Sequence, residues 1–383
     1  MKRSLTSLTC TVLLGLLCAV CLGAETVGAE PGALFPVVQK EKWGYIDVTG
    51  KVVIQPQFDA AMAFSEGLAA VGVHSKSPDE WKYGYIDATG ALVIKPQYKS
   101  AQGFSEGLAA VTDANHKCGY IDRAGTVAIA PQLDSAGDFS EGLAAVRVGD
   151  PMGGKSGYIN KAGEMVVTPQ FERGDSFHEG LAVVTVGGKD GYIDITGKLV
   201  IAPQFQSAHS FSEGLASVLA GEGEAMKLAY IDKTGRIALE AETGVGGDFR
   251  EGLAPVGRDI DLVPGPQPGL IELRGKWGYI DRTGKIAIKL QFTDAREFSE
   301  GLGAVNTGGM YAGKWGFVDK AGNVVIKPQF ESVGDFTNGL AEARVGSRVK
   351  SEQIGPGAYG MTLAWGRLGY IDKTGKWVWE PRE

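Results

Sequence analysis

The chain has 383 residues, 44% of them apolar, and a formal charge of −7 from 45 acidic and 38 basic residues that are interspersed along it. Beyond the first thirty positions no apolar run is long enough to span a bilayer, and no basic block offers the electrostatic footprint of a nucleic-acid binder. The four histidines, His74, His116, His178 and His209, are scattered without ligand spacing, so no metal site is expected.

The N-terminus opens with Lys2 and Arg3, passes through an apolar stretch from Thr11 to Leu22 and reaches small residues at Gly23, Ala24, Gly28 and Ala29. That order predicts a secretory signal over residues 1–29, cleaved after Ala29, and an extracytoplasmic mature chain over 30–383. A transmembrane anchor is disfavoured because the apolar core is short and no stop-transfer charges follow. Cys10, Cys18 and Cys21 lie inside the signal, which leaves Cys118 alone in the mature chain and allows it no intramolecular disulfide. Val20 before Cys21 and Leu17 before Cys18 fit a lipoprotein signal badly.

From Gly44 onward one string recurs, GYID followed by a turn, its first glycine or substitute at Gly44, Gly84, Gly119, Gly157, Gly191, Ala229, Gly278, Gly316 and Gly369. A second string, FxEGLAxV in its commonest form, places its glycine at Gly67, Gly107, Gly142, Gly180, Gly214, Gly252, Gly301 and Gly339, each 23 residues after the first. All length variation falls in the return interval: 17, 12, 15, 11, 15, 26, 15 and 30 residues. A period of this size marks a stacked-repeat architecture.

GYID leads into DVTG at Asp47, DATG at Asp87, DRAG at Asp122, NKAG at Asn160 and DKTG at Asp232 and Asp372. Asp or Asn opening a turn and Gly closing it predict a hairpin between GYID and the following KVVI-type segment. The proline of VVIKPQF, Val324 to Phe330 in one copy, cannot donate to a ladder and points to an edge, a bulge or a strand end. The chain then returns through EGL into a small-residue strand such as Leu68 to Val71. Each of about nine copies is thus an all-β antiparallel meander of three strands with room for a short fourth, units starting near 43, 83, 118, 156, 190, 228, 277, 315 and 368. So small a unit has little core of its own, so the copies stack and share one through their recurrent Trp, Tyr, Ile, Phe and Leu. A propeller-like ring and an open curved array both fit. The alanines of LAAV suggest backbones crowded near an axis, whereas nine copies exceed most propellers. Copy six is degenerate, with Leu228 and Ala229 in place of Trp and Gly.

The strings KWGYID at Lys42 to Asp47, KWGYID at Lys276 to Asp281 and KWGFVD at Lys314 to Asp319, each with a turn glycine and a downstream EGL or NGL, resemble the WG-repeat (KWG-repeat) family of bacterial proteins. The resemblance covers nearly all of the mature chain and implies an exported or envelope-associated repeat protein with no settled activity. Tyr83, Cys118, Ser156 and Asp190 at the Trp position show that an indole is not required in every copy.

Several formal motif matches fail on context. Gly149 to Ser156 reads GDPMGGKS, but a phosphate-binding loop needs a helix after it, and here the repeat strand follows, so no nucleotide is expected. DKTG recurs as DVTG and DRAG and is a turn, not a phosphorylation or protease site. The Glu of EGL, at Glu66, Glu106, Glu141, Glu179, Glu213, Glu251 and Glu300, is better explained by a structural bond than by paired catalytic carboxylates.

The expectation is a non-catalytic binding or scaffolding module, without cofactor, for a protein, peptide or envelope glycan; the alternative is a glycan-active hydrolase on the same scaffold. An enzyme should gather non-repeating acidic, Arg or Tyr residues in one pocket. Ligand contacts are expected on the two long connections, Gly257 to Gly275 and Gly346 to Arg367, through Arg258, Asp259, Asp261, Tyr359 and Trp365.

Overall fold

The computed structural model describes residues 32–74, 81–149, 153–223, 226–241, 244–264, 271–309, 313–355, 358–364 and 366–381, with side chains omitted at 262, 264, 271–274, 348–355 and 358–364. Among them nine antiparallel sheets of three or four strands stand in a ring, a nine-bladed β-propeller without α-helices. The blades span residues 34–58, 60–98, 100–133, 135–171, 173–205, 207–240, 245–292, 294–330 and 332–379, and are numbered 1 to 9 here. In blade 2 the strands are a (Ala60–Ala61), b (Leu68–His74), c (Trp81–Asp87) and d (Leu92–Tyr98), hydrogen-bonded in that order.

The expected hairpin between GYID and the next segment is the c–d pair. Its Asp closes the turn through three bonds: the Thr49 hydroxyl donates to Asp47 Oδ1 at 2.6 Å, the Thr49 N–H at 2.9 Å and the Lys51 N–H at 3.1 Å. The proline of strand d sits in a bulge facing the GYID glycine, where a Cβ on Gly84 would come within 2.6 Å of Pro96 N. In blade 6 the PQF segment is missing, one register shift disappears and Ala229 fits, so the two departures of that copy have one cause.

The blade is out of phase with the sequence unit. The EGL strand b pairs with the next copy's GYID strand c, as Leu68 opposite Asp87 and Val71 opposite Gly84. The variable interval is therefore the b–c hairpin inside a blade, and the constant 23 residues run from one blade into its neighbour.

That constancy follows from what the interval must touch. The GYID tyrosine donates to a carbonyl 17 residues on in the next blade: Tyr45 to Met62 O, Tyr85 to Gln102 O and Tyr192 to His209 O at 2.8 Å each, with Tyr120, Tyr158, Tyr230 and Tyr279 alike. The same ring packs tilted against the neighbour's phenylalanine, Tyr85 against Phe104 at 4.9 Å between centroids. Each core cluster accordingly lies between blades, one joining Tyr85 and Ile94 to Phe104, Val111 and Ile121.

Blade 9 meets blade 1 by the same chemistry. Tyr370 donates to Pro36 O at 3.0 Å and its ring lies 5.3 Å from that of Phe35, so the ring closes on side-chain packing, with each blade built from its own strands. Strand a lies toward the axis: neighbouring a–b segments are tied to one another, Ser105 Oγ to Phe139 O at 2.7 Å, whereas among the described residues no hydrogen bond joins adjacent d strands. The closed ring is thus the arrangement adopted, with the short fourth strand innermost.

Candidate functional site

The EGL glutamate holds one repeated post. Its backbone is left-handed, φ between 49 and 54° in all seven copies, a conformation that costs a non-glycine residue of order 1–3 kcal/mol. The carboxylate reaches the next blade and accepts the N–H of that blade's EGL glycine, as Glu106 does from Gly142 at 3.1 Å and Glu179 from Gly214 at 3.0 Å. A cation from the next blade's c–d turn completes it: Lys161 on Glu106 at 3.0 Å, Lys233 on Glu179 at 3.1 Å, Arg282 on Glu213 at 3.3 Å, Lys320 on Glu251 at 3.0 Å and Lys373 on Glu300 at 3.0 Å. Burial opposes ionisation, but at Glu106, Glu179 and Glu251 the cation and the N–H outweigh it and hold the carboxyl below the usual glutamate range. These glutamates are inter-blade fasteners.

The turn residue follows the same logic. It is apolar in blades 1 and 2, Val48 and Ala88, whose preceding blades offer no EGL glutamate, and basic in six of the other seven; Ile195 in blade 5 is the exception. Asn338 replaces Glu in blade 9, whose neighbour, blade 1, has no EGL glycine.

Aligning the copies on the EGL glycine isolates the side chains that break the pattern; besides separate ones such as Glu342 in blade 9, they form two groups. The first is on the axial wall of blades 5 to 7, around a cavity of about 470 Å³ lined by Arg173, Asp175, His178, His209, Asp248 and Arg250 among serines. Arg173 is bonded to Asp190 at 2.9 Å, and Asp190, buried where four of the nine copies carry an aromatic residue, also accepts from Thr185 Oγ1 at 2.7 Å and the Ala208 N–H at 3.0 Å. Burial pushes the Asp175 carboxyl above its ordinary value, with Arg173 opposing. Asp248 accepts from Ser217 Oγ at 2.6 Å and lies 3.2 Å from His209 Nδ1; that bond raises the imidazole, against burial. Ser, Asp and His thus meet in the wrong order for an activated nucleophile, because the carboxylate and not the imidazole receives the hydroxyl.

The second is a cleft of about 420 Å³ between blades 7 and 8, lined by Trp277, Trp315, Val245 and Ile260 on its apolar side and by Thr293, Asp294, Arg296 and Asn306 on its polar side. Arg296 lies 4.2 Å over the Trp315 ring and donates to Val333 O at 2.6 Å. Asn306, 3% exposed, accepts from Thr293 Oγ1 at 3.1 Å. Among the described residues no three His, Cys, Asp or Glu side chains are grouped to hold a metal.

The long connections are hairpins. That of blade 7 extends strands b and c, Leu253–Pro264 and Ile271–Asp281, with a bulge between Arg258 and Asp261. Arg258, Asp259 and Asp261 are exposed along it, and Ile260 between them is the side chain that reaches the cleft. In blade 9, Arg348–Gly355 and Ala358–Ala364 form a separate two-stranded sheet with Tyr359 opposite Gln353, and Trp365 lies outside the described residues. Lys155 opens strand c of blade 4 with no helix behind it, in keeping with the rejected phosphate loop.

The profile of the WG-containing repeat matches residues 43–76, 83–115, 119–150, 157–189, 191–222, 277–311 and 315–348, more than half of the chain, which therefore belongs to the WG-repeat family. The unmatched copies are the degenerate sixth and the last. No curated protein matches the chain. Among solved structures it is similar to a eukaryotic initiation factor at 12% identity, TM-score 0.58, covering 90% of this chain and 94% of that one. It is also similar to dipeptidyl peptidase 4 of Porphyromonas gingivalis at 11% identity, TM-score 0.51, covering 83% of this chain and 64% of the peptidase. At such identities the likeness extends to the fold alone.

Proposed function

We propose that the chain is an exported, non-catalytic binding or scaffolding propeller whose partner is a protein, peptide or envelope glycan and whose recognition arc is blades 5 to 8. Export rests on the N-terminal pattern of residues 1–29. The carrying observation is how the departures are distributed: the seven EGL glutamates are committed to neighbouring blades, while the two groups of side chains that no repeat role explains lie side by side on one arc. A rigid scaffold with a locally varied face is the usual design of a repeat binder.

Reverting departures to residues that other copies carry in the same post tests this without risking the fold. His178→Ser with Arg250→Ser, and separately Asp294→Ser with Asn306→Thr, should leave the melting temperature near the parent's. At least one pair should abolish capture of the partner that the mature chain retains from envelope extract. Undiminished capture by both would overturn the reading.

The glycan-hydrolase alternative keeps one point in its favour, since Asp175 shares a cavity with Asp248 and its carboxyl is raised as a general acid's would be. Turnover of an envelope glycan that disappears in Asp175→Asn would establish it.

A further inference from the structure

We propose that the cleft between blades 7 and 8 is a saccharide subsite that accepts an uncharged pyranose ring. The inference rests on the binding reading above and adds a ligand class to it.

Three departures from the repeat coincide there. Asp294 stands where other blades carry Ala60, Ser100, Ser135, Arg173, Ser207, Val245 and Ser332. Arg296 replaces residues such as Gln102, Gly137 and Gly334, and Asn306 replaces Gly72, Thr112, Arg147, Thr185, Leu219, Gly257 and Arg344. Asp294 and Asn306 take no part in the inter-blade fastening that accounts for the recurrent residues, and Arg296 makes a bond to blade 9 that no other copy has, to Val333 O. The long hairpin of blade 7 is built against the same cleft: Ile260 contributes to its wall, and Gly275 lies so near Ile260 that a Cβ there would collide with it. At about 420 Å³ the space is within the range of roughly 300–1,000 Å³ common to small-molecule pockets.

The lining selects the chemistry by elimination. An anion is poorly served, because the one guanidinium is stacked on Trp315 and bonded to Val333 O, and Asp294 stands beside it. A cation is poorly served as well, because the Arg296 guanidinium lines the same cleft beside Asp294 and would repel it. A wholly apolar ligand would desolvate the Asp294 carboxylate, which holds the Ala295 N–H on Oδ1 at 2.8 Å, and the amide nitrogen of Asn306 without offering either a partner, at about 1–3 kcal/mol for each group. What remains is a neutral molecule with an apolar face for Trp277 and Ile260 and an edge of hydroxyls for Asp294, Asn306 and Thr293. A pyranose has both. The amide nitrogen of Asn306 makes no hydrogen bond among the described residues, and a sugar hydroxyl is a suitable acceptor for it.

Calorimetric titration of the mature chain with cellohexaose, chitohexaose and polygalacturonate, read in parallel by tryptophan fluorescence, tests the proposal. At least one of the two neutral oligomers should bind, and Asp294→Ser with Asn306→Thr should weaken it by about tenfold or more, as the loss of one or two buried hydrogen bonds requires. Met62→Gln, at an axial post of blade 2 outside that arc, should leave the affinity unchanged. Absence of binding by both neutral oligomers, preference for the polyuronate, or binding indifferent to the Asp294 and Asn306 reversions would each overturn the saccharide assignment. The envelope-extract capture is independent of these titrations, so a wrong ligand class and a wrong binding reading give different results.

Discussion

Blades 2 and 3 and blades 5 to 8 are made from the same parts and used differently. Toward the axis, blades 2 and 3 present Ala60, Met62, Ala63, Ser100, Gln102 and Gly103, whereas the same posts in blades 5 to 8 hold Arg173, Asp175, His209, Asp248, Asp294 and Arg296. Behind those posts the same joint is kept: Tyr85 meets Phe104 at 4.9 Å and Tyr192 meets Phe211 at 5.0 Å, each with its phenol on a neighbouring carbonyl at 2.8 Å. The contrast teaches that the ring separates two tasks. Interface residues repeat because every interface is the same joint, and axial residues are free to differ because the joint does not use them.

If so, trimming the joint should cost the same in either arc. Phe58 and Phe330 close strand d in blades 1 and 8 at 7% and 2% exposure, and each change to Ala should destabilise by about 3–5 kcal/mol in chemical denaturation, without altering ligand affinity per folded molecule. A large inequality would break the comparison.

The phenol bond is the next test. Tyr85→Phe and Tyr192→Phe should each cost about 1 kcal/mol. Blade 8 carries the natural counterpart, Phe317, which packs on Phe336 at 4.8 Å but has no hydroxyl to offer the next blade. Phe317→Tyr should recover a similar amount, and no gain in denaturation midpoint would mean that the carbonyl of Gly334 is not placed like its counterparts.

Much of this was legible in the sequence. The period, the c–d hairpin and the structural use of the EGL glutamate followed from Asp, Gly and Pro chemistry and from recurrence, while for the proline a bulge stood beside an edge and a strand end. The phase of the blade did not. A stretch of constant length between GYID and EGL invites reading as the unit, yet its length is constant because Tyr85 must reach Gln102 O and Glu106 must reach Gly142 across a boundary. The variable interval tolerates insertion because it joins b to c inside one blade and carries neither the Tyr nor the Glu bond that crosses a boundary. The departures Asp294, Arg296 and Asn306 are visible once the copies are aligned on the EGL glycine, but their convergence with Trp277 and Ile260 depends on how blades 7 and 8 pack. Nothing local in the sequence encodes that. Arg258, Asp259 and Asp261 stood out by charge, whereas the apolar Ile260 is the residue turned into the cleft.

A smaller effect should distinguish the arcs by pH. His209 is held above the ordinary imidazole value chiefly by its bond to Asp248, with Glu297 adding to it and burial and Arg173 opposing. A raised histidine stabilises the fold fully below its unfolded value, near 6.5, and that contribution is lost as pH rises through the raised one. Since half of the side chain is exposed, the difference between parent and His209→Gln should stay below about 1 kcal/mol, present near pH 5.5 and absent near pH 8.5. Met62, in the corresponding post of blade 2, should show no such dependence on replacement by Gln.

The smallest effect concerns the fastener that meets an isoleucine in place of a basic turn residue. Glu141 accepts the Gly180 N–H at 2.8 Å like its counterparts, but blade 5 offers Ile195, 51% exposed, where blades 4, 6, 8 and 9 place a lysine on the preceding glutamate. The lysines at those posts bridge at 3.0 to 3.1 Å while remaining 37 to 48% exposed, so each pair is worth only a few tenths of a kcal/mol to about 1 kcal/mol. Ile195→Lys should therefore raise stability by that modest amount, an exposed isoleucine having little packing to lose. Two controls sharpen the result. The gain should vanish in Glu141→Gln, and it should shrink in high salt, where a partly exposed ion pair is screened. A gain that survives both changes would mean that the lysine acts through turn propensity and not through Glu141, and the reading of the turn cation as half of an inter-blade fastener would fail at blade 5.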